Sequence, residues 1–278
     1  MGVERTRMKH LFCFGFGFTA EHLAKLLPRN EWRVSGTSRR AEGVQHMKAF
    51  GVSGLVFDQL DKVPTDVTHI LCSIPPNEQG CPGALKFGAQ LQLPYKWIAY
   101  LSTTGVYGNH DGGWVDEDTP LTPNSDRARR RVVAEQQWHE FAAHIFRLPG
   151  IYGPGRSQLD SVKDGTARRI IKRNQIFSRI HVEDIASILA ASIAKPNAGR
   201  IYNVADDEPC PPQDVVAYAA ELLGLEPPPE IPFEQANLSP MARSFYDDSK
   251  RVSNARIKSE LGITLKYPNF RVGLRSLL

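Results

Sequence analysis

Only four cysteines occur in the 278 residues, Cys13, Cys72, Cys81 and Cys210, with no CxxC pair and no Cys/His spacing of the metal-binding kind. That excludes a disulfide framework and a zinc module, and a bound metal is not expected. Such sparse cysteine usage fits a reducing, cytoplasmic setting. No apolar run reaches the ~18 residues a membrane-spanning helix needs, and residues 1–10 are charged where a signal peptide would be apolar. Neither a membrane nor secretion is expected. Charge of one sign is also missing: 34 Lys and Arg against 30 Asp and Glu leave +4, with no concentrated basic stripe. Nucleic acid is therefore not an expected partner.

What is present is a globular composition, with 41% hydrophobic and 23% charged residues. A chain of this length suits one large domain, or a main domain with an appendage, burying roughly 75% of its unfolded surface. Strand-like and helix-like periods alternate in the first half. An apolar run at 10–14 precedes a helical pattern at 19–27 and a second strand at 32–37. Further strands are expected at 54–57, 69–72, 97–101 and 145–148, with a helix over 129–144. The alternation predicts an α/β fold with a parallel sheet covered on both faces. After Pro149 the texture changes: Gly and Pro cluster at 150–155, and a basic helix-like piece follows around 167–173. A clean amphipathic helix at 183–195 and a strand at 201–204 then return to the sheet. Helices at 213–223 and 253–261 flank the break at Pro227-Pro228-Pro229. The organisation predicted is a Rossmann-type doubly wound domain from residues 1–150 and 181–204, with a smaller substrate lobe from 151–180 and 205–278. Residues 1–9 read as a loose tail before the first strand.

The sharpest local signal is Gly15-Phe16-Gly17-Phe18-Thr19-Ala20, a GxGxxA sequence that leaves the first strand and opens the first helix. Glycines suit a tight turn there, and a missing Cβ lets a pyrophosphate approach the free N–H groups of a helix start. Gly15, Gly17, Phe18 and Thr19 are thus expected to bind a dinucleotide; the alternative is a tight turn and nothing more. The end of the second strand decides which dinucleotide. An NAD site usually carries a carboxylate about 20 residues on; this chain has Ser38, Arg39 and Arg40 instead. A hydroxyl and two guanidiniums suit a 2′-phosphate, which favours NADP over NAD. Arg39 and Arg40 as ordinary solvated residues are the alternative. Ser73 and Ile74, leaving the fourth strand, and Asp58, ending the third, are expected beside the cofactor because ligands in such sheets lie outside the strand C-termini.

The fifth strand delivers Ser102-Thr103-Thr104-Gly105-Val106-Tyr107-Gly108. With the glycine loop, RLPGIYGPGR from Arg147, RIHVEDIA from Arg179 and NVADDEP from Asn203, it resembles the extended short-chain dehydrogenases/reductases of the NAD-dependent epimerase/dehydratase superfamily. The motifs run nearly the whole length. The resemblance implies that Thr103 polarises a substrate oxygen. It also implies a YxxxK pair on the following helix, the Tyr acting as acid/base and the Lys lowering its pKa. Counted back from Glu135, those positions hold Arg127 and Arg131. An arginine stays protonated and cannot exchange the proton that accompanies hydride transfer. Four apart on a helix, the two share a face and would form an anion-binding pair. The alternative is a solvated basic face with an Arg131–Glu135 i,i+4 pair. Tyr107 becomes the candidate proton donor by motif position, with a strand-end packing role as the other reading.

His181 and Asp184 are expected to be structural, the Asp capping a helix. His139 and His144, five apart on the expected helix, diverge too far to share a metal. Arg168, Arg169, Lys172 and Arg173 face either an anionic substrate or solvent. The resemblance implies an NADP-dependent oxidoreductase or epimerase acting on a small molecule, anionic or nucleotide-linked such as a nucleotide sugar, and a homodimer. A non-catalytic NAD(P)-binding sensor or scaffold is the alternative, motivated by the arginines at 127 and 131.

Overall fold

The computed structural model describes residues 8–278. The first seven positions of the expected tail lie outside the described residues, and Lys9 already opens the first strand. Seven strands form one parallel sheet: β1 (Lys9–Phe14), β2 (Trp32–Ser38), β3 (Ser53–Val56), β4 (His69–Cys72), β5 (Trp97–Thr103), β6 (His144–Leu148) and β7 (Ile201–Asn203). Their order is β3-β2-β1-β4-β5-β6-β7. The order reverses between β1 and β4, and a doubly wound sheet opens a ligand crevice at such a point.

Strand alternation explains the two cores. On β1, Leu11 and Cys13 point to one face while Phe12 and Phe14 point to the other. Trp97, Ala99 and Leu101 of β5 join the first set, and Ile98 and Tyr100 the second. The first face is covered by α1 (Phe18–Leu26) and α6 (Val182–Ala194), and α2 (Ala41–Ala49) adds Met47. The second face is covered by α3 (Pro82–Leu91) and α4 (Asp126–His139) through Phe87, Leu91, Ala134 and Trp138. Periodicity misses α2 and α3, because α2 buries Met47 alone and α3 is interrupted by Gly83 and Gly88.

A smaller cluster joins α5 (Gln158–Lys163), α7 (Pro212–Leu222) and α10 (Phe270–Arg275) around Leu159, Val216, Phe270 and Leu274. It forms the second lobe, with α8 (Pro240–Ser244) at its rim. Three expectations change. The basic piece around 167–173 is a strand, Arg169–Ile171, paired with Glu230–Pro232. The helix expected over 129–144 ends at His139, since Ala142 turns left-handed at φ 51° and His144 starts β6. His139 and His144 therefore do not share a helix. Finally, α9 (Ala255–Leu261) buries Ile257 and Leu261 in the core of the main sheet, not in the lobe. Among the described residues no helix is long and apolar enough to cross a membrane.

A buried ion pair ties the carboxyl ends of the central strands together. Arg147 on β6, 3% exposed, donates from Nη2 to Glu135 Oε2 of α4 at 2.8 Å. Glu135 also accepts from Ser102 Oγ at 2.5 Å. Arg147 Nη1 donates to the Tyr107 hydroxyl at 2.9 Å, and that hydroxyl donates to Asn203 Oδ1 at 2.8 Å. Glu135→Leu would leave the guanidinium buried without its counter-ion, a loss expected to cost about 3–5 kcal/mol. Urea unfolding of the variant against the parent measures it; a change under about 1 kcal/mol would contradict this role.

Candidate functional site

The two loop glycines have different reasons to be glycine. Gly15 sits at φ +84°, and a Cβ there would lie 2.9 Å from Ser73 Oγ. Its N–H donates to Thr37 Oγ1 at 3.1 Å, and its carbonyl accepts from Ser73 Oγ at 2.7 Å. The chain itself demands that glycine. Gly17, the N-cap of α1, is extended (φ −126°, ψ −164°), and a Cβ there would meet nothing within 4 Å. No protein atom explains its lack of a side chain. The next three N–H groups, of Phe18, Thr19 and Ala20, have no acceptor among the described residues, and no side chain caps the helix. Open space, free donors and the positive end of a helix meet here, which is the arrangement an anion needs.

At the end of β2, Ser38 packs against Gly43 and accepts the Arg40 N–H at 3.4 Å. Arg39 and Arg40 are exposed, and neither has an acidic partner among the described residues. Ile74 lies against Gly15, at 3.2 Å from its ideal Cβ. Asp58 is exposed in the turn Phe57–Gln59 that closes β3, its carbonyl accepting from Lys86 Nζ at 3.3 Å. The expected cofactor residues thus gather at the carboxyl edge of β1 to β4.

A cleft of about 1010 Å³ runs from Gly17, Phe18, Thr19 and Ser73 across 101–105 to the second lobe. Thr103, Arg127 and Arg131 line it. Thr103 Oγ1 accepts the Gly105 N–H at 3.2 Å, which fixes the hydroxyl oxygen and leaves its hydrogen to donate. The arginine run divides by face. Arg129 and Arg130 turn outward to Asp126 (2.6 Å) and Glu78 (3.0 Å), while Arg127 stacks its guanidinium 5.5 Å over Phe245 in the cleft. Arg131 does not pair with Glu135. It donates to the Tyr100 hydroxyl and the Leu101 carbonyl, each at 2.8 Å, and so keeps its full charge beside the cleft.

Tyr107 is removed from the proton-donor role by geometry. It is fully buried, does not line the cleft, and its hydroxyl is held between Arg147 and Asn203. Burial pushes its pKa up to about 12, against the pull of Arg147. His181 is likewise buried; its Nδ1 accepts the Glu183 N–H at 3.2 Å and caps α6. That cap had been expected from Asp184, whose carboxylate instead accepts the Lys266 and Tyr267 N–H groups at 2.8 and 3.0 Å. Among the described residues no cluster of side chains could hold a metal.

The second lobe adds Arg156, Arg168, Arg179 and Lys250 to the cleft wall, together with Asp160, Asp164 and Asp248. With Arg127 and Arg131 the cations outnumber the carboxylates two to one, so the cleft attracts anions. Of the basic stretch, Arg169 pairs with Glu230 at 3.0 Å, Lys172 bonds the Tyr246 carbonyl and Arg173 is exposed away from the cleft, leaving Arg168 on the wall. Lys250 and Phe245 carried no signal in the sequence, because they lie in an aperiodic segment whose place is set by the lobe.

Residues 89–205 match the NAD-dependent epimerase/dehydratase family model. A conserved protein of unknown function from Silicibacter pomeroyi superposes with a TM-score of 0.94 at 52% identity, over 97% of this chain and 98% of that one. Residues 89–205, which hold Thr103, Glu135 and Arg147, thus carry an NAD-dependent epimerase/dehydratase family domain. A further epimerase family protein, from human and solved with NADPH, shares the fold at a TM-score of 0.74 and 18% identity, over 97% and 99% of the two chains. In sequence, a 3-diazoavenalumate denitrifying reductase from Streptomyces is 27% identical over 181 residues, which span 58% of each protein.

Burial also makes the family fold acid-sensitive here. His69 and His181 are pushed down to about 4 by burial, so the unfolded chain takes up protons below pH ~6.5 while the folded chain does not. Unfolding free energy is expected to fall as pH drops through that window, by about 3 kcal/mol per histidine near pH 4. Urea midpoints of the parent and of His181→Asn between pH 7 and 4.5 should show a shallower decline in the variant.

Proposed function

We propose that this protein is an NADP-dependent oxidoreductase or epimerase that acts on an anionic small molecule carrying a carbonyl or hydroxyl group. The observation that carries this reading is Gly17, whose missing side chain faces open space at a helix start with free donors. The N–H groups of Phe18 and Thr19 would hold the pyrophosphate, and Arg39 and Arg40 the 2′-phosphate. When bound, the nicotinamide exchanges a hydride with a substrate carbon. Thr103 holds the substrate oxygen, and Arg127 and Arg131 orient its carboxylate or phosphate without exchanging protons. The NADPH of the human relative and the reductase activity of the Streptomyces relative support the reading by analogy. A nucleotide-linked substrate suits the excess of cations, which matches a diphosphate. Cofactor binding without turnover would favour the non-catalytic sensor, a reading to which the arginines at 127 and 131 lend weight.

Calorimetric titration with NADPH and NADH in parallel tests the cofactor. NADPH should bind more tightly, and Arg39→Asp should weaken it about 10–100-fold while leaving NADH unchanged, since a charge-assisted bond to phosphate is worth about 1.5–3 kcal/mol. Equal affinities in the parent would refute the NADP assignment. Gly17→Val should abolish binding of both cofactors, yet shift the thermal midpoint by no more than a degree or two, because a Cβ there meets no protein atom and the extended backbone suits a β-branched residue. Retained binding in that variant would show that the loop is only a turn.

A further inference from the structure

The proposed reaction needs a proton, and neither Arg127, Arg131 nor Tyr107 supplies one. We infer that Lys250 is the proton-exchanging group of the cleft, its ammonium acting as the acid toward an oxygen held at Thr103 and its free amine as the base in the reverse direction. This rests on the hydride-transfer reading given above.

Lys250 lies in the segment between α8 and α9, lines the cleft and is 8% exposed. Its Nζ donates to the Gly108 carbonyl at 2.6 Å and to Asp248 Oδ2 at 3.1 Å. An ammonium has three donors, so one is uncommitted. The Gly108 anchor matters because the turn Thr104–Tyr107 starts at Thr103 and ends at Gly108. The amine and the substrate-polarising hydroxyl are therefore attached to opposite ends of one short turn. Gly108 is itself fixed, at φ +70° with a Cβ that would collide with the Thr122 carbonyl. Asp248 is held by Asn124 Nδ2 at 2.5 Å, and Gln175 Nε2 bonds its carbonyl at 2.5 Å.

Few charges oppose a proton leaving Lys250. Asp248 is the one charged group acting on it among the described residues. The Gly108 carbonyl faces its Nζ, and the side chains that bond the neighbouring Asp248 and Val252, those of Asn124, Gln175 and Ser178, are uncharged. His110 turns its Nε2 to the Tyr107 carbonyl at 3.1 Å. Burial lowers the Lys250 pKa and outweighs Asp248, which raises it. A buried lysine of this kind exchanges protons nearer neutrality than a solvated one does.

The step balances with reduced nicotinamide as the hydride donor. Hydride adds to the carbonyl carbon and the C=O π pair moves to oxygen. That oxygen takes a proton from Nζ, breaking one N–H bond and forming one O–H bond. The neutral amine regains a proton from water in the cleft.

The probe is 4-carboxybenzaldehyde, whose carboxylate suits the arginines and whose aldehyde reports on both amines and hydride transfer. In the unaltered protein without cofactor, reductive labelling with cyanoborohydride from pH 6 to 10, mapped by peptide mass spectrometry, should modify Lys250 first. Its labelling midpoint should fall below that of every other lysine. With NADPH, reduction of the same aldehyde should slow as pH rises through that midpoint. Lys250→Arg should lower kcat at least about 100-fold, the scale of a lost general acid, and remove that limb while NADPH affinity stays within twofold. A Lys250 that labels with the bulk of the lysines, or a Lys250→Arg variant that keeps the limb, overturns the inference. Absence of NADPH binding would sink the underlying reading and the reductive step with it, a result the labelling cannot mimic.

Discussion

The pair between Arg147 and Glu135 is the constraint around which the carboxyl end of the sheet is arranged. Two charges, each less than a tenth exposed, meet at 2.8 Å below the cleft floor. Their desolvation is offset by neighbouring polar groups: Ser102 bonds Glu135, the Tyr107 hydroxyl accepts from Arg147, and Asn203 Oδ1 accepts from that hydroxyl. Such a network adds little net stability, but it fixes one arrangement, since any partner removed leaves a buried charge behind. It joins β5, β6, β7, α4 and the turn after Thr103. The Thr103 hydroxyl and the Gly108 carbonyl inherit their positions from it.

The same network sorts the arginines. Because Arg147 occupies Glu135, Arg131 has no carboxylate to neutralise it and bonds only neutral oxygens. Arg127 meets an aromatic ring instead of an acid. Outside the cleft, Arg129, Arg130, Arg169 and Arg200 all have carboxylate partners. A net charge of +4 is mild for the chain as a whole, yet along one concave surface six cations accompany only three carboxylates. Low-dielectric walls focus such a field on an incoming anion.

Backbone and side chains share the work of the site. Gly15 is a glycine for the chain's sake, whereas at Gly17 a Cβ would meet no protein atom and the space is left open. In the proposed reaction β5, α1 and α4 supply donors that do not exchange protons, whereas proton exchange is assigned to a lysine from the aperiodic segment between α8 and α9.

By itself the sequence determined the alternating strands and helices, the GxGxxA loop, the arginines after β2 and the segments that build a second lobe. All of these are local: periods of 2 and 3.6 report which face of an element is buried, and glycine spacing reports a turn. Tertiary structure decided the rest. Tyr107 and Thr103 are four residues apart in one motif, yet one hydroxyl faces the core and the other the cleft, because Arg147 and Asn203 come from other strands. The Arg131–Glu135 spacing is ideal for a helical pair, and the pair is absent because a strand 12 residues beyond Glu135 brings a better partner. A strand in place of the basic helix, α9 in the main core and Lys250 beside Gly108 all depend on contacts across more than 50 residues. No local period encodes those contacts, so only the packed chain reveals them.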